Sequence, residues 1–265
     1  DLLVDGAHIA REIAGIQRKR DHQFAQGFGH KNSPTFPLWF WGGGHIMRES
    51  KNDVIEGGIS LDASEYLKNP CGMSSLPFWK MQHTVIPDNM VILRDDSFHH
   101  CDIQGCDELY FRLQHDLIQI PSFHLQQDYE VVECSIEDYA RHINECYDME
   151  HISSDELKAY TTRSVYDPSL WIAVSEKKSH SIVATGIAEL DATISEGVLE
   201  WIQVTPSFRH RGLGRSVVCE LLRRMQGRAR FVTVSGRVKN ASNPYSLYCA
   251  CGFYNPVIWH VIKTN

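Results

Sequence analysis

The chain has 265 residues, 43% hydrophobic and 22% charged, which are ordinary globular proportions and exclude a wholly disordered, collagen-like or coiled-coil chain. Its 26 Lys+Arg against 33 Asp+Glu leave a net charge of −7, which disfavours a general nucleic-acid binder, and no apolar run approaches the ~18 residues of a bilayer span, so no membrane partner is expected. Eight cysteines are too few for a disulfide-stapled secreted domain, and the first residues lack a secretory pattern, so a cytoplasmic protein with reduced thiols is expected.

At ~150 residues per domain the length fits two. Residues 1–46 read as an N-terminal extension. Leu2 to Ile16 has helical periodicity, with Leu3, Ala7, Ala10 and Ala14 on one stripe, and Gly42 to Gly44 resemble a joint. Met47 follows that joint as an alternative start. Residues 47–121 read as a smaller α/β region of unknown role. Within it come a short helix over Ser60–Leu67, a turn at NPCG, an aromatic stretch SSLPFWK, a strand over Asn89–Arg94 and an amphipathic helix over Glu108–Ile120. That helix places Leu109, Leu113 and Leu117 at i, i+4 and i+8. His99, His100, Cys101 and Cys106 lack the second ligand pair of a zinc site, so no metal is expected.

A new domain is expected after Pro121, over residues 129–265. Tyr129–Cys134 is a strand, and Ser135 with Asp138 three residues on starts a helix reaching Tyr147. A helix over Ser154–Thr161, capped by Ser153, precedes strands over Leu170–Ser175 and Ile182–Leu190 joined by the polar turn EKKSHS. Glu196 and Gly197 read as a turn before a strand over Val198–Val204. A helix over Gly212–Met225, a strand over Phe231–Ser235, a helix over Pro244–Cys251 and a strand over Ile258–Lys263 complete the order. This βααβββαβαβ series indicates an α/β (α+β) domain with a mixed, mostly antiparallel sheet flanked by helices.

Between Thr205 and Asn240 lie eight arginines and Lys239 against one acid, Glu220, so a compact positive region stands in an acidic chain. That arrangement suits a small polyanion better than a long one. Inside it, the loop TPSFRHRGLGRS joins a strand to a helix; its glycines let backbone amides approach a ligand, and the helix start adds unpaired donors. Neither nucleotide-binding fingerprint fits: GxxxxGK[ST] is absent, and GLG lacks the third glycine.

Arg209, His210, Arg211, Gly212, Leu213 and Gly214 match the [RQ]xxGx[GA] acyl-CoA loop, and Leu247, Tyr248, Gly252 and Phe253 match the LYxxxGF signature. With both motifs in order, the stretch from Tyr129 to Asn265 resembles the GNAT N-acetyltransferase superfamily. The resemblance implies acetyl transfer from acetyl-CoA to an amine acceptor, with acetyl-CoA as co-substrate and no metal. It implies pyrophosphate binding by the amides of Arg211, Gly212, Leu213, Gly214, Arg215 and Ser216, with Arg209 and His210 in the same loop. It places Ile202, Gln203 and Val204 along the cofactor, with the Val204 amide polarising the thioester carbonyl. Tyr248 would protonate the departing thiolate, and Glu200 would act as base, with Glu189 and Asp191 in reserve. The asparagine expected six residues before LY falls on Ala241, leaving Asn240 and Asn243 as candidate pantetheine contacts. Trp171 and Trp201 are candidate acceptor-site walls. A small or amino-acid-like amine is the expected acceptor; a noncatalytic acyl-CoA sensor and a protein acetyltransferase are the rivals, and a homodimer is compatible with all three.

Overall fold

The computed structural model describes residues 62–98, 103–147 and 150–264. The expected elements in residues 1–46, the candidate start at Met47 and the trio His99, His100 and Cys101 lie outside the described residues. Eight strands form one sheet: β1 (Met90–Arg94), β2 (Cys106–His115), β3 (Tyr129–Val132), β4 (Trp171–Glu176), β5 (Ile182–Asp191), β6 (Glu196–Val204), β7 (Phe231–Arg237) and β8 (Tyr254–Lys263), in the order β1-β8-β2-β7-β6-β5-β4-β3. All neighbours are antiparallel except β6 and β7.

Eight α-helices flank the sheet among the described residues: α1 (Ala63–Tyr66), α2 (Pro70–Met73), α3 (Phe78–His83), α4 (Asp95–Phe98), α5 (Ile136–Cys146), α6 (Ser154–Tyr160), α7 (Leu213–Met225) and α8 (Pro244–Ala250). Helices α5 and α6 start where expected because Ser135 with Asp138, and Ser153 with Glu156, form reciprocal capping boxes that satisfy orphan amides. On one face, α7 buries Leu213, Val217, Val218, Leu221, Leu222 and Met225 against Ala184, Ala188 and Leu199; each full burial is worth ~1.5–3 kcal/mol. Gly197 permits this close approach, since a Cβ there would lie 2.4 Å from Met225 Sδ. On the other face, Tyr139, Ile143, Leu157 and Tyr160 of α5 and α6 pack on Ala173, Ile187 and Trp201.

Two expectations are corrected. Residues 108–120 form no helix: Cys106–His115 is β2, paired with both β7 and β8. Leucines spaced by four share a face under a period of two as well as 3.6, and the intervening Tyr110, Phe111 and Arg112 are buried too, as a strand between two others requires. Glu196 and Gly197 are no turn but the first two residues of β6, and the reversal occurs just before them, where Ser195 has φ 57°. Pro121 lies in the connection between β2 and β3, two strands of the same sheet.

Candidate functional site

Strands β6 and β7 run side by side only over Glu196–Leu199 and Phe231–Val234. Beyond Leu199 and Val234 they diverge, and Ser235–Arg237 continue along β2 while Glu200–Val204 continue along β5. Thr205 donates its amide to Val183 O on the β5 side (2.9 Å). By strand alternation the Val204 and Ile202 amides therefore face the opposite edge, where β7 has left. Two groups already reach the carbonyls of that edge: Tyr147 Oη donates to Ile202 O (3.4 Å) and Arg209 Nε to Val204 O (3.2 Å).

The same stretch of β6 carries a bulge. Ile187 pairs with Trp201 and Ala188 with Leu199, so Glu200 is the extra residue. Its carboxylate receives Lys80 Nζ of α3, and their side chains are 2% and 9% exposed. Burial pushes the Glu200 carboxyl up to about 7, Lys80 opposes that shift, and neighbouring Glu189 adds to it. Arg163 holds Glu189 (2.7 Å) and lies over the ring of Tyr160. The result is an alternating buried cluster of two cations and two carboxylates. Asp191, the other reserve carboxylate, instead closes its own turn by accepting from the amide (2.9 Å) and hydroxyl of Thr193.

At the end of β6, His210 (φ 62°) and Gly212 (φ 81°) turn the loop through left-handed conformations into α7. Gly212 is the N-cap and supplies no side-chain cap, so amides at the start of α7 remain available for a ligand. A Cβ at Gly212 would lie 2.7 Å from the Phe123 ring, which also stacks under the Arg215 guanidinium. Arg215 Nε is buried with no hydrogen-bond partner among the described residues. An uncapped helix start beside an orphaned guanidinium N–H fits a phosphate-bearing ligand.

The arginine-rich window has its charges partly paired within the fold. It is not one positive patch: Arg223 and Arg224 pair with Glu220, Arg228 with Asp167, and Arg237 with Glu108 (3.1 Å) and Glu150 (2.7 Å). Arg209 spends its guanidinium on the carbonyls of Val204 and Cys146, fixing the loop to β6 and α5. Arg211 reaches Ser207 O (3.1 Å) from an exposed position over Phe208, and Leu213 and Ser216 are buried on the inner side of α7.

Tyr248, on α8, is 6% exposed, with burial and the nearby Tyr147 holding its phenol well above the usual range. The sequence offered Tyr248 through its motif but gave no sign of Tyr147, whose ring also meets Trp201 edge-on at 5.8 Å. Other expected site residues make contacts within the fold. Asn240 Oδ1 accepts from Ser242, and Asn243 Oδ1 caps α8 through Ser246 N (3.3 Å). Gln203 donates to the Thr185 hydroxyl beneath His142, whose buried imidazole is pushed down to about 4. Trp171 packs edge-on against Tyr139 and Tyr166.

The fold as a whole has counterparts among known structures. The chain is similar to a GCN5-related N-acetyltransferase from Sphaerobacter thermophilus, at 16% identity over 70% of this chain and 64% of that one, with a TM-score of 0.53. It is similar to a Drosophila protein at 13% identity over 70% and 66% of the two chains, with a TM-score of 0.50. Residues 177–259 match the family model described as FR47-like protein. The fold is that of the GNAT superfamily. The chain spans less than two thirds of the length of either structure, and at these identities the likeness concerns the fold. No curated protein matches the sequence. Of the two sequence motifs that carry the GNAT resemblance, one lies at the start of α7 and the other spans the end of α8 and the turn after it.

Proposed function

We propose that this protein is an acetyl-CoA-dependent N-acetyltransferase acting on a primary amine, with a small or amino-acid-like amine as the acceptor. The observation that carries the proposal is the open edge of β6 over Glu200–Val204, flanked by the bulged Glu200 and the uncapped start of α7. An extended chain bearing amides, such as pantetheine, adds to an unpaired strand edge by main-chain hydrogen bonds. Its phosphates then meet the amides of Gly212–Arg215, with the Arg211 and Arg215 side chains alongside. The Val204 amide faces the position where a thioester carbonyl develops negative charge.

Glu200 takes the proton of the acceptor ammonium; a carboxyl poised near neutrality suits that task. The neutral amine attacks the thioester carbon, the C–S bond breaks, and Tyr248 gives its proton to the thiolate and regains one from the amide nitrogen. Burial keeps that phenol protonated until the thiolate forms. The noncatalytic reading has one observation in its favour, because Lys80 occupies the Glu200 carboxylate that an acceptor would need.

Calorimetric titration with acetyl-CoA and thiol release from a panel of amines test the proposal together. We expect binding that weakens at least tenfold in an Arg211→Ala/Arg215→Ala variant, and thiol release that falls sharply in Tyr248→Phe. Binding without release for any amine supports the sensor instead, and absence of binding overturns both.

A further inference from the structure

Lys80 lies far from every motif of the catalytic reading, yet its ammonium contacts the carboxylate assigned as base. A lysine is almost never this buried unless paired, and here it is 7% exposed. Its helix is fixed from several sides. Phe78 N donates to Glu196 Oε2 (3.0 Å), Trp79 Nε1 donates to Ser164 Oγ (2.9 Å), and Arg163 lies over the Trp79 ring at 5.5 Å. Helix α3 thereby presents one primary amine to the site from within the molecule.

An amine that is to be deprotonated by a carboxylate must first hydrogen-bond to it. Lys80 already makes that contact, beside the β6 edge that diverges from β7. We propose that Lys80 is an intramolecular acceptor, and that the protein acetylates its own Lys80 from acetyl-CoA before or in competition with a free amine. The proposal rests on the acetyltransferase reading above.

The step balances without a further reactant. Glu200 receives one proton from the Lys80 ammonium, and the neutral nitrogen attacks the thioester carbonyl carbon. The C–N bond forms and the C–S bond breaks. The departing thiolate takes a proton from Tyr248, which regains one from the amide nitrogen as the tetrahedral intermediate collapses. The products are Nε-acetyl-Lys80, the free thiol of CoA, and a proton on Glu200 that passes to solvent. Effective concentration favours this route, since the acceptor is already held against the base.

Acetylation removes the charge that pairs with Glu200. The carboxylate then loses its cation, and α3 loses one of the contacts that hold it over the site. A single turnover on Lys80 would therefore change both the titration of the base and the access of a second amine.

The test is incubation of the full chain with isotopically labelled acetyl-CoA, followed by intact mass measurement and peptide mapping. We expect one acetyl group per chain, located on Lys80, with a first-order rate independent of protein concentration. Labelling should vanish in Lys80→Arg and fall at least a hundredfold in Glu200→Gln. Because both variants alter buried positions, site mapping and the concentration dependence in the unaltered protein decide the matter if either fails to fold. Label spread over exposed lysines such as Lys177, Lys178 and Lys239, unaffected by Glu200→Gln, is solution chemistry and overturns the proposal. An unlabelled Lys80 in a protein that acetylates external amines overturns it while leaving the transferase reading intact. No acetylation of Lys80 or of any amine, with acetyl-CoA bound, overturns both.

Discussion

Two carboxylates four residues apart on β6 each meet a cation from the segment ahead of β3, and their surroundings differ. Glu196 accepts from Tyr66 Oη (2.7 Å), Thr233 Oγ1 (2.6 Å), Phe78 N (3.0 Å) and Arg112 Nη2 (3.2 Å), with no side-chain exposure. Glu200 meets Lys80 and faces a second carboxylate, Glu189, across the cluster. The carboxylate at the first position is enclosed by four donors, although Arg112 Nε and Nη1 behind it have no hydrogen-bond partner among the described residues; the carboxylate at the second is paired yet faces a like charge. Burial raises both carboxyls, but at Glu196 Arg112 and three further hydrogen bonds oppose the shift, whereas at Glu200 the neighbouring Glu189 adds to it.

The comparison breaks most visibly at its structural end. Glu196→Ala should cost ~3–5 kcal/mol, because Arg112 is left as an uncompensated buried charge, and urea denaturation reads this directly. Glu200→Gln should lower the urea midpoint by less than Glu196→Ala, because the amide oxygen still accepts from the Lys80 ammonium, while thiol release with an amine falls ~10²–10⁴-fold, the span of general-base catalysis. Equal destabilisation by both variants would erase the distinction.

The pH dependence sharpens it. Glu200 has a raised carboxyl, so its contribution to stability is complete below the ordinary value of 4.5 and is lost as pH rises through about 7. Unfolding measured across that window should show a loss that Glu200→Gln abolishes. Turnover by the proposed mechanism has the opposite sign, because Glu200 would have to be ionised to act as base: kcat/KM should rise through about 7. Lys80 holds that value down, so Lys80→Met should move the acidic limb to higher pH. The smallest expected effect is a control outside both positions. Ser135→Ala removes the capping box of α5 and should cost ~1 kcal/mol with no change in the pH profile, as thermal unfolding and rate measurements would show.

What the sequence revealed and what it concealed divide along the range of the interactions. The loop from Arg209 to Ser216, the two capping boxes and the apolar stripe of α7 are legible because each is written within one turn or one helix. Lys80 and Glu200 are 120 residues apart, and Tyr66 and Glu196 are 130 apart; no local spacing announces either contact. Strand β2 was concealed for another reason. Its leucines at 109 and 113 satisfy a helix and a strand alike, and only its position between β7 and β8 decides between them. Tyr147 follows α5 at an unremarkable helix end, and its place beside Tyr248 arises from the return of the chain through α8.

The insertion of β2 between β7 and β8 also sets an order of events during synthesis. Both of its neighbours are made more than a hundred residues later, so β2 leaves the ribosome without a partner on either side. Native pairings of such wide separation form slowly, and until then an apolar strand rich in tyrosine, phenylalanine and leucine waits exposed to other chains. A stop codon before β8 would leave β1 without its paired neighbour and β2 with only one. The yield of soluble protein should therefore depend on chaperones that shelter the early strands until the last one is complete.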